Sequence, residues 1–253
     1  MVRIVVFDSG LGSLSIITAI QKICKSEIIY FADQKNFPYG KKSKKELELI
    51  IKKTLNLLEE KFFPDLIVMA SNTPSLMVKT KNKKIIKVYP PLREAMNLSK
   101  TKNIALFGTK TVVASKSLSI YIKKFNFPKD SKIYKINSSL LVNLVESNKF
   151  ITNKSISRKI IKKTLNNILK NKIDVATLSS THLSFLKPLL ELEFPKVTFV
   201  DPSDIVAHKV LVNIKNNNSK KNTIKIFTSG NVKQFQNNLI KLGIRNKVNF
   251  LST

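Results

Sequence analysis

Asp65-Leu-Ile-Val-Met-Ala-Ser71-Asn72-Thr73 and Asp174-Val-Ala-Thr-Leu-Ser-Ser180-Thr181-His182 are built alike. Each opens on an aspartate, runs through an apolar stretch that reads as a buried strand, and closes on a hydroxyl cluster six positions later. Open α/β sheets place their chemistry at the carboxyl ends of such strands. Two matching ends imply one site built from two halves. A second pair lies one hundred positions apart: Arg3-Ile-Val-Val-Phe-Asp8-Ser9-Gly10 and Asn103-Ile-Ala-Leu-Phe-Gly108-Thr109-Lys110. Both read as strand-to-turn junctions, and each precedes its hydroxyl cluster by a similar interval. Self-similarity at so long a period predicts a duplicated unit. The plainer alternative is two α/β units that share only apolar strands ending in small polar residues.

Working outward, strands and helices alternate. Residues 3–8, 27–32, 65–70, 85–89, 103–107, 132–136, 173–178 and 197–200 read as strands. Helical spacing of apolar residues covers Leu14–Lys25, Lys44–Phe62, 114–124, 139–148, 154–170 and 183–191. This alternation predicts an α/β fold with parallel sheets covered by helices on both faces. Ile214–Asn222 has linker composition, after which Thr223 begins a strand and Val232–Leu242 a helix. That last unit lies outside both repeats and is expected to return to the first domain. The domains are therefore expected at 1–96 plus 211–253 and at 97–210.

Composition narrows the function. A chain of 253 residues, 43% hydrophobic, can bury a sizeable core. No apolar run is long enough to span a bilayer, and Met1-Val-Arg enters a strand directly, so a cytoplasmic protein without membrane partners is expected. Cys24 is the only cysteine, which excludes a disulfide framework and a thiolate cluster. His182 and His208 are too far apart for a local zinc motif, so no metal is expected. The net charge of +29 points toward polyanions. Yet the excess is lysine, with arginine only at Arg3, Arg93, Arg158 and Arg245. Arginine is the residue that reads bases and grips phosphate through two bonds, so no specific nucleic acid is expected. The field should still draw in small anions. A homodimer stays open.

Asp8-Ser9-Gly10 with Leu-Gly12-Ser-Leu-Ser15, Tyr30-Phe-Ala-Asp33 leading into Pro38-Tyr39-Gly40, Ser71-Asn72-Thr73, Gly108-Thr109, Leu144-Val-Glu146 and Ser180-Thr181-His182 stand in the order of the motifs of the glutamate racemase family, within the aspartate/glutamate racemase superfamily. The chain resembles that family over most of its length, and Thr228-Ser-Gly230, Phe235 and Leu242-Gly243 resemble its C-terminal segment. The resemblance implies two pseudo-symmetric, doubly wound domains facing a central cleft. It also implies cofactor-independent interconversion of L- and D-glutamate, or of a related acidic amino acid, by two-base proton transfer. An α-proton is barely acidic, so such a base must sit in a desolvated pocket while fixed hydrogen bonds hold the substrate.

By the same resemblance, Asp8 stands beside the first acid/base position, and Glu146 with His182 beside the second. Ser9, Tyr39, Gly40, Asn72, Thr73 and Thr181 hold the ammonium and carboxylates. The acid/base positions themselves depart from the pattern: where the family has two cysteines, this chain has Ser71 and Ser180. A thiol titrates near pH 8.5 and is readily tuned downward, whereas a serine hydroxyl is far less acidic. Ser13 also replaces a common glycine, and Val112 a common threonine. Two alternatives follow: a silent acidic-amino-acid binding or regulatory protein, and, on charge alone, a polyanion-binding protein. Taken singly, each site residue has a plainer role. Asp8 and Thr109 could cap helices, Tyr39-Gly40 could mark a turn, Glu146 could be a solvated helix residue, and His182 a surface imidazole.

Overall fold

Strand β1 (Arg3–Asp8) is buried from its second residue to its last, as expected of a central strand covered on both faces. A computed structural model describes residues 1–165, 172–214 and 220–253. In it, β1 pairs in parallel with β2 (Glu27–Ala32) on one side and β3 (Leu66–Met69) on the other. With β4 (Ile85–Lys87), β9 (Thr223–Thr228) and β10 (Val248–Phe250), they form an all-parallel sheet of order β10-β9-β2-β1-β3-β4. The chain leaves β1 toward β2 and then crosses back to β3. The topological switch point therefore lies at the carboxyl end of β1, at Asp8-Ser9-Gly10.

The second sheet repeats this arrangement. β5 (Asn103–Gly108), β6 (Lys132–Asn137), β7 (Val175–Leu178) and β8 (Thr198–Val200) are all parallel, in the order β6-β5-β7-β8. That is the order β2-β1-β3-β4 over again. Shared strand composition alone would not require it, so the topology favours duplication. In the first sheet, Val5, Phe7, Ile29 and Ile67 pack beneath the helix Lys44–Phe62. In the second, Ala105, Phe107, Ala176 and Leu178 pack with Leu141, Leu144 and Ile161.

The chain divides into one unit of 1–88 with 203–253 and another of 89–202. The expected joints at 96/97 and 210/211 are thus displaced, because each joining helix goes with the sheet on which it buries its apolar face. In the helix Leu92–Leu98, Ala95 and Met96 pack on Ile104 and Val175 of the second sheet. The helix Ser203–Asn213 packs against Ser13–Ile23 of the first unit.

Other departures have local causes. The helix expected over 114–124 is two, Lys110–Ala114 and Lys116–Lys123, because Ser115 is extended and its Oγ accepts the Leu118 amide at 3.1 Å. The helix from Ser139 stops at Glu146, where Asn148 takes a left-handed φ of 55° before a short turn over Lys149–Thr152. The stretch 183–191 is a 3-10 segment, Thr181–Leu186, followed by the helix Lys187–Glu193. Of the expected 154–170 helix, Lys154–Leu165 is helical and the remainder lies outside the described residues, as does much of the 214–222 linker.

The two aspartates that open the matching segments anchor the strands from below. Asp65 Oδ2 accepts the Arg3 amide at 2.8 Å. Asp174 accepts Ser99 Oγ at 2.6 Å, the Lys100 amide at 2.7 Å, and Thr101 through its amide at 3.1 Å and its Oγ1 at 2.8 Å. Both lie at the amino ends of their strands, away from the hydroxyl clusters.

Candidate active site

In the first unit, the ends of β1 and β3 lie side by side, joined by the Ala70 amide donating to Phe7 O at 2.8 Å. This brings Asp8-Ser9 next to Ser71-Asn72-Thr73. Asp8 is buried, and its Oδ1 accepts the Ser9 amide at 2.6 Å. Gly12, not Asp8, takes the N-cap position of the following helix, which Ser13 opens as a fully buried residue. Tyr30 Oη donates to Gly10 O at 2.6 Å and fixes the turn. Asn72 is 3% exposed, and neither end of its side-chain amide has a hydrogen-bond partner among the described residues. Leaving such a group unpaired costs about 1–3 kcal/mol, which makes Asn72 a candidate ligand contact. Thr73 is buried beside it. Ser75 holds this short helix in place by donating to Met69 O at 3.2 Å and accepting the Val88 amide at 3.1 Å.

Pro38 opens a single 3-10 turn, Tyr39–Lys41. Its Tyr39 is buried, donates through its amide to Ser9 Oγ at 3.4 Å, and donates through Oη to Asp33 Oδ2 at 2.9 Å. Burial first, and then the charges of Asp33 and Asp8, push its phenol well above the usual tyrosine range. It stays a donor at any ordinary pH. The side chain is therefore committed to Asp33, and the turn meets Ser9 through the Tyr39 amide.

Asp33 itself is a residue to which sequence reasoning gave no role. It is fully buried and also accepts Ser229 Oγ at 2.9 Å and Asn36 Nδ2 at 2.9 and 3.0 Å. The pairing of β9 with β2 puts Ser229 there. Both residues stand in motifs that carry the family resemblance, Tyr30-Phe-Ala-Asp33 and Thr228-Ser-Gly230, but nothing in consecutive residues pairs one with the other.

In the second unit, β5 ends at Gly108, where an added Cβ would come within 3.1 Å of the buried Val112. Thr109 takes the plainer role, capping the next helix with Oγ1 accepting the Val112 amide at 3.4 Å. At the end of β7, Thr177 Oγ1, within the strand, and Ser179 Oγ, just past it, hydrogen-bond at 2.7 Å and stiffen the turn into Ser180. Ser180, Thr181 and His182 are all buried. His182 Nε2 lies 2.6 Å from Glu146 Oε1, and the Glu146 side chain is only 13% exposed. Neither a solvated helix glutamate nor a surface imidazole describes this pair.

Ser71 and Ser180 occupy equivalent places. Each follows the last core strand residue of its cluster by the same step and precedes a short helical segment without capping it through its side chain. Their backbone dihedrals match, at φ −143° and ψ 128° for Ser71 and φ −142° and ψ 125° for Ser180. Cys24, by contrast, is buried before the amino end of β2, at the opposite end of the first sheet's strands from Ser71. Among the described residues no three His, Cys, Asp or Glu side chains are gathered to hold a metal, and no helix is long and apolar enough to cross a membrane.

No family model matches the chain. Glutamate racemase 2 of Caldanaerobacter subterraneus subsp. tengcongensis is 30% identical over 241 residues, covering 91% of this chain and 89% of that protein. The chain belongs to the glutamate racemase family. Its fold agrees with that of solved glutamate racemases. An isoform from Bacillus anthracis matches with a TM-score of 0.87 at 22% identity, over 99% of this chain and 97% of that one. The Francisella tularensis enzyme in complex with D-glutamate matches with a TM-score of 0.82 at 21% identity, over 100% of this chain and 97% of that one. The protein is glutamate racemase-like, with the matched pair Ser71 and Ser180 at the heads of its two strand-end clusters.

Proposed function

We propose that this glutamate racemase-like protein binds glutamate or a close acidic relative and transfers its α-proton slowly, without cofactor, because both acid/base positions carry hydroxyls. The observation that carries this reading is the matched backbone of Ser71 and Ser180, each beside a buried ionisable group. Asp8 serves the Ser71 side, and Glu146 with His182 the Ser180 side. Ser9, Asn72, Thr73, Thr181 and the Tyr39-Gly40 backbone hold the ammonium and carboxylates. Abstraction of the α-proton leaves an electron pair that delocalises into the substrate carboxylate, and delivery of a proton to the other face completes inversion. A serine takes part by passing its proton on to Asp8 or to the His182–Glu146 pair, since almost no alkoxide exists at neutral pH. The Francisella relative's D-glutamate complex and the net charge of +29 both favour an anionic amino-acid ligand.

The second reading, a silent acidic-amino-acid binding protein, rests on the same two serines. Calorimetric titration with each enantiomer, followed by proton NMR of the α-hydrogen in heavy water, separates the two. Saturable heat with slow exchange above the protein-free rate is expected. Heat without exchange would select the binding protein. No heat and no thermal shift with any acidic amino acid at millimolar concentration would remove the pocket.

A further inference from the structure

Asp33 stands out among groups to which the reaction assigns no task. Its carboxylate is fully buried with no lysine or arginine bonded to it among the described residues, and is held instead by donors from three stretches of chain. Tyr39 Oη reaches it from the 3-10 turn, Asn36 Nδ2 from the preceding turn, and Ser229 Oγ from the end of β9. A buried charge satisfied only by neutral donors is costly unless those donors are fixed, so the arrangement orders everything attached to it. Two further bonds extend that order. Ser229 Oγ accepts the Lys35 amide at 3.1 Å, and the Ser229 amide donates to Ala32 O at 3.1 Å. On the far side, the Tyr39 amide donates to Ser9 Oγ. The chain of bonds thus runs from the end of β9 through Asp33 and Tyr39 to Ser9, one of the residues assigned above to the ligand.

We propose that Asp33 is a positioning residue that acts through Tyr39. It locks the Tyr39-Gly40 turn against Ser9, so that the last segment of the chain, through Ser229, helps set the affinity for the acidic amino acid. The phenol suits this task because its proton is held across the whole physiological range. This inference rests on the ligand reading given above, and its test must tell the two apart.

The test is a double-mutant cycle on D-glutamate affinity with the full chain, using Asp33→Asn, Tyr39→Phe and the two combined, together with hydrogen exchange of the 34–43 segment. Asp33→Asn is expected to weaken binding at least tenfold and to speed exchange in 34–43 while the amides of β1 and β3 keep their protection. Tyr39→Phe should weaken binding less, and the combined variant should be no weaker than Asp33→Asn alone. A merely structural role would lower melting temperature and protection across the whole unit, with additive losses in the cycle. Should Asp33→Asn fail to fold, Ser229→Ala removes one donor only and is expected to weaken binding about threefold, again with faster exchange in 34–43. Affinity within experimental error of the parent for the folded variants, or additive losses in the cycle, would overturn the proposal. A parent protein that binds no acidic amino acid would overturn the ligand reading itself, and this inference with it.

Discussion

His182 Nε2 and Glu146 Oε1 lie 2.6 Å apart, the imidazole from the turn after β7 and the carboxylate from the last residue of the helix after β6. The parallel pairing of β5 with both β6 and β7 is what brings these two connections together. A carboxylate at this distance orients the ring and selects its tautomer. When the neutral imidazole donates through Nε2, Nδ1 becomes the basic nitrogen. Such a pair can accept a proton from a neighbouring hydroxyl or thiol, and its value depends on which of the two stands at position 180.

Restoring both thiols should therefore release the chemistry. Ser71→Cys combined with Ser180→Cys is expected to raise α-proton exchange of glutamate by roughly 10²–10⁴-fold, the usual range for a well-matched acid/base group. Proton NMR in heavy water measures it. A folded, glutamate-binding double variant that exchanges no faster than the parent would show that the surrounding geometry does not support proton transfer.

In that thiol background, His182→Asn is expected to slow exchange starting from one enantiomer by roughly 10²-fold, while the affinity for glutamate changes far less. Glu146→Gln should reproduce part of the loss by releasing the ring orientation. Equal slowing from both enantiomers would contradict the assignment of the pair to one face of the substrate.

Asn72→Ala should weaken glutamate binding by about 1–3 kcal/mol, since a ligand group matched to the buried amide would be left unpaired. Without ligand, the same change should cost little stability, because the Asn72 side-chain amide makes no hydrogen bond among the described residues. Calorimetry and thermal melts report the two effects separately. A large loss of melting temperature with unchanged affinity would recast Asn72 as structural.

The anchor beneath the second sheet has its own pH signature. Burial disfavours ionised Asp174, but hydrogen bonds from Ser99, Thr101 and Lys100 outweigh it and hold the carboxyl below the ordinary aspartate range. Its stabilising contribution is therefore fully present above the unfolded value of about 4 and is lost as pH falls through the folded value. Asp174→Asn should cost about 1–3 kcal/mol at pH 7, and that gap should narrow in melts taken toward pH 3. A gap that stays constant down to pH 3 would mean that hydrogen bonding to the charged form is not its source.

The apolar runs ending at Asp8, Ala70, Phe107 and Leu178, the two switch-point turns, and the matched clusters at Ser71 and Ser180 were all legible in the sequence. Buried parallel strands and their polar ends are local signals, written in consecutive residues. Much of the candidate site was legible for the same reason. The plain role of Thr109 as a cap, the commitment of the Tyr39 phenol to Asp33, and the joints at 88/89 and 202/203 were decided only by the tertiary structure. So was the bond between Ser229 and Asp33, 196 positions apart. These depend on which strand pairs with which and in what register, and on which sheet a joining helix covers. Such outcomes come from competition among many apolar faces across the whole chain, and no window of neighbouring residues encodes them.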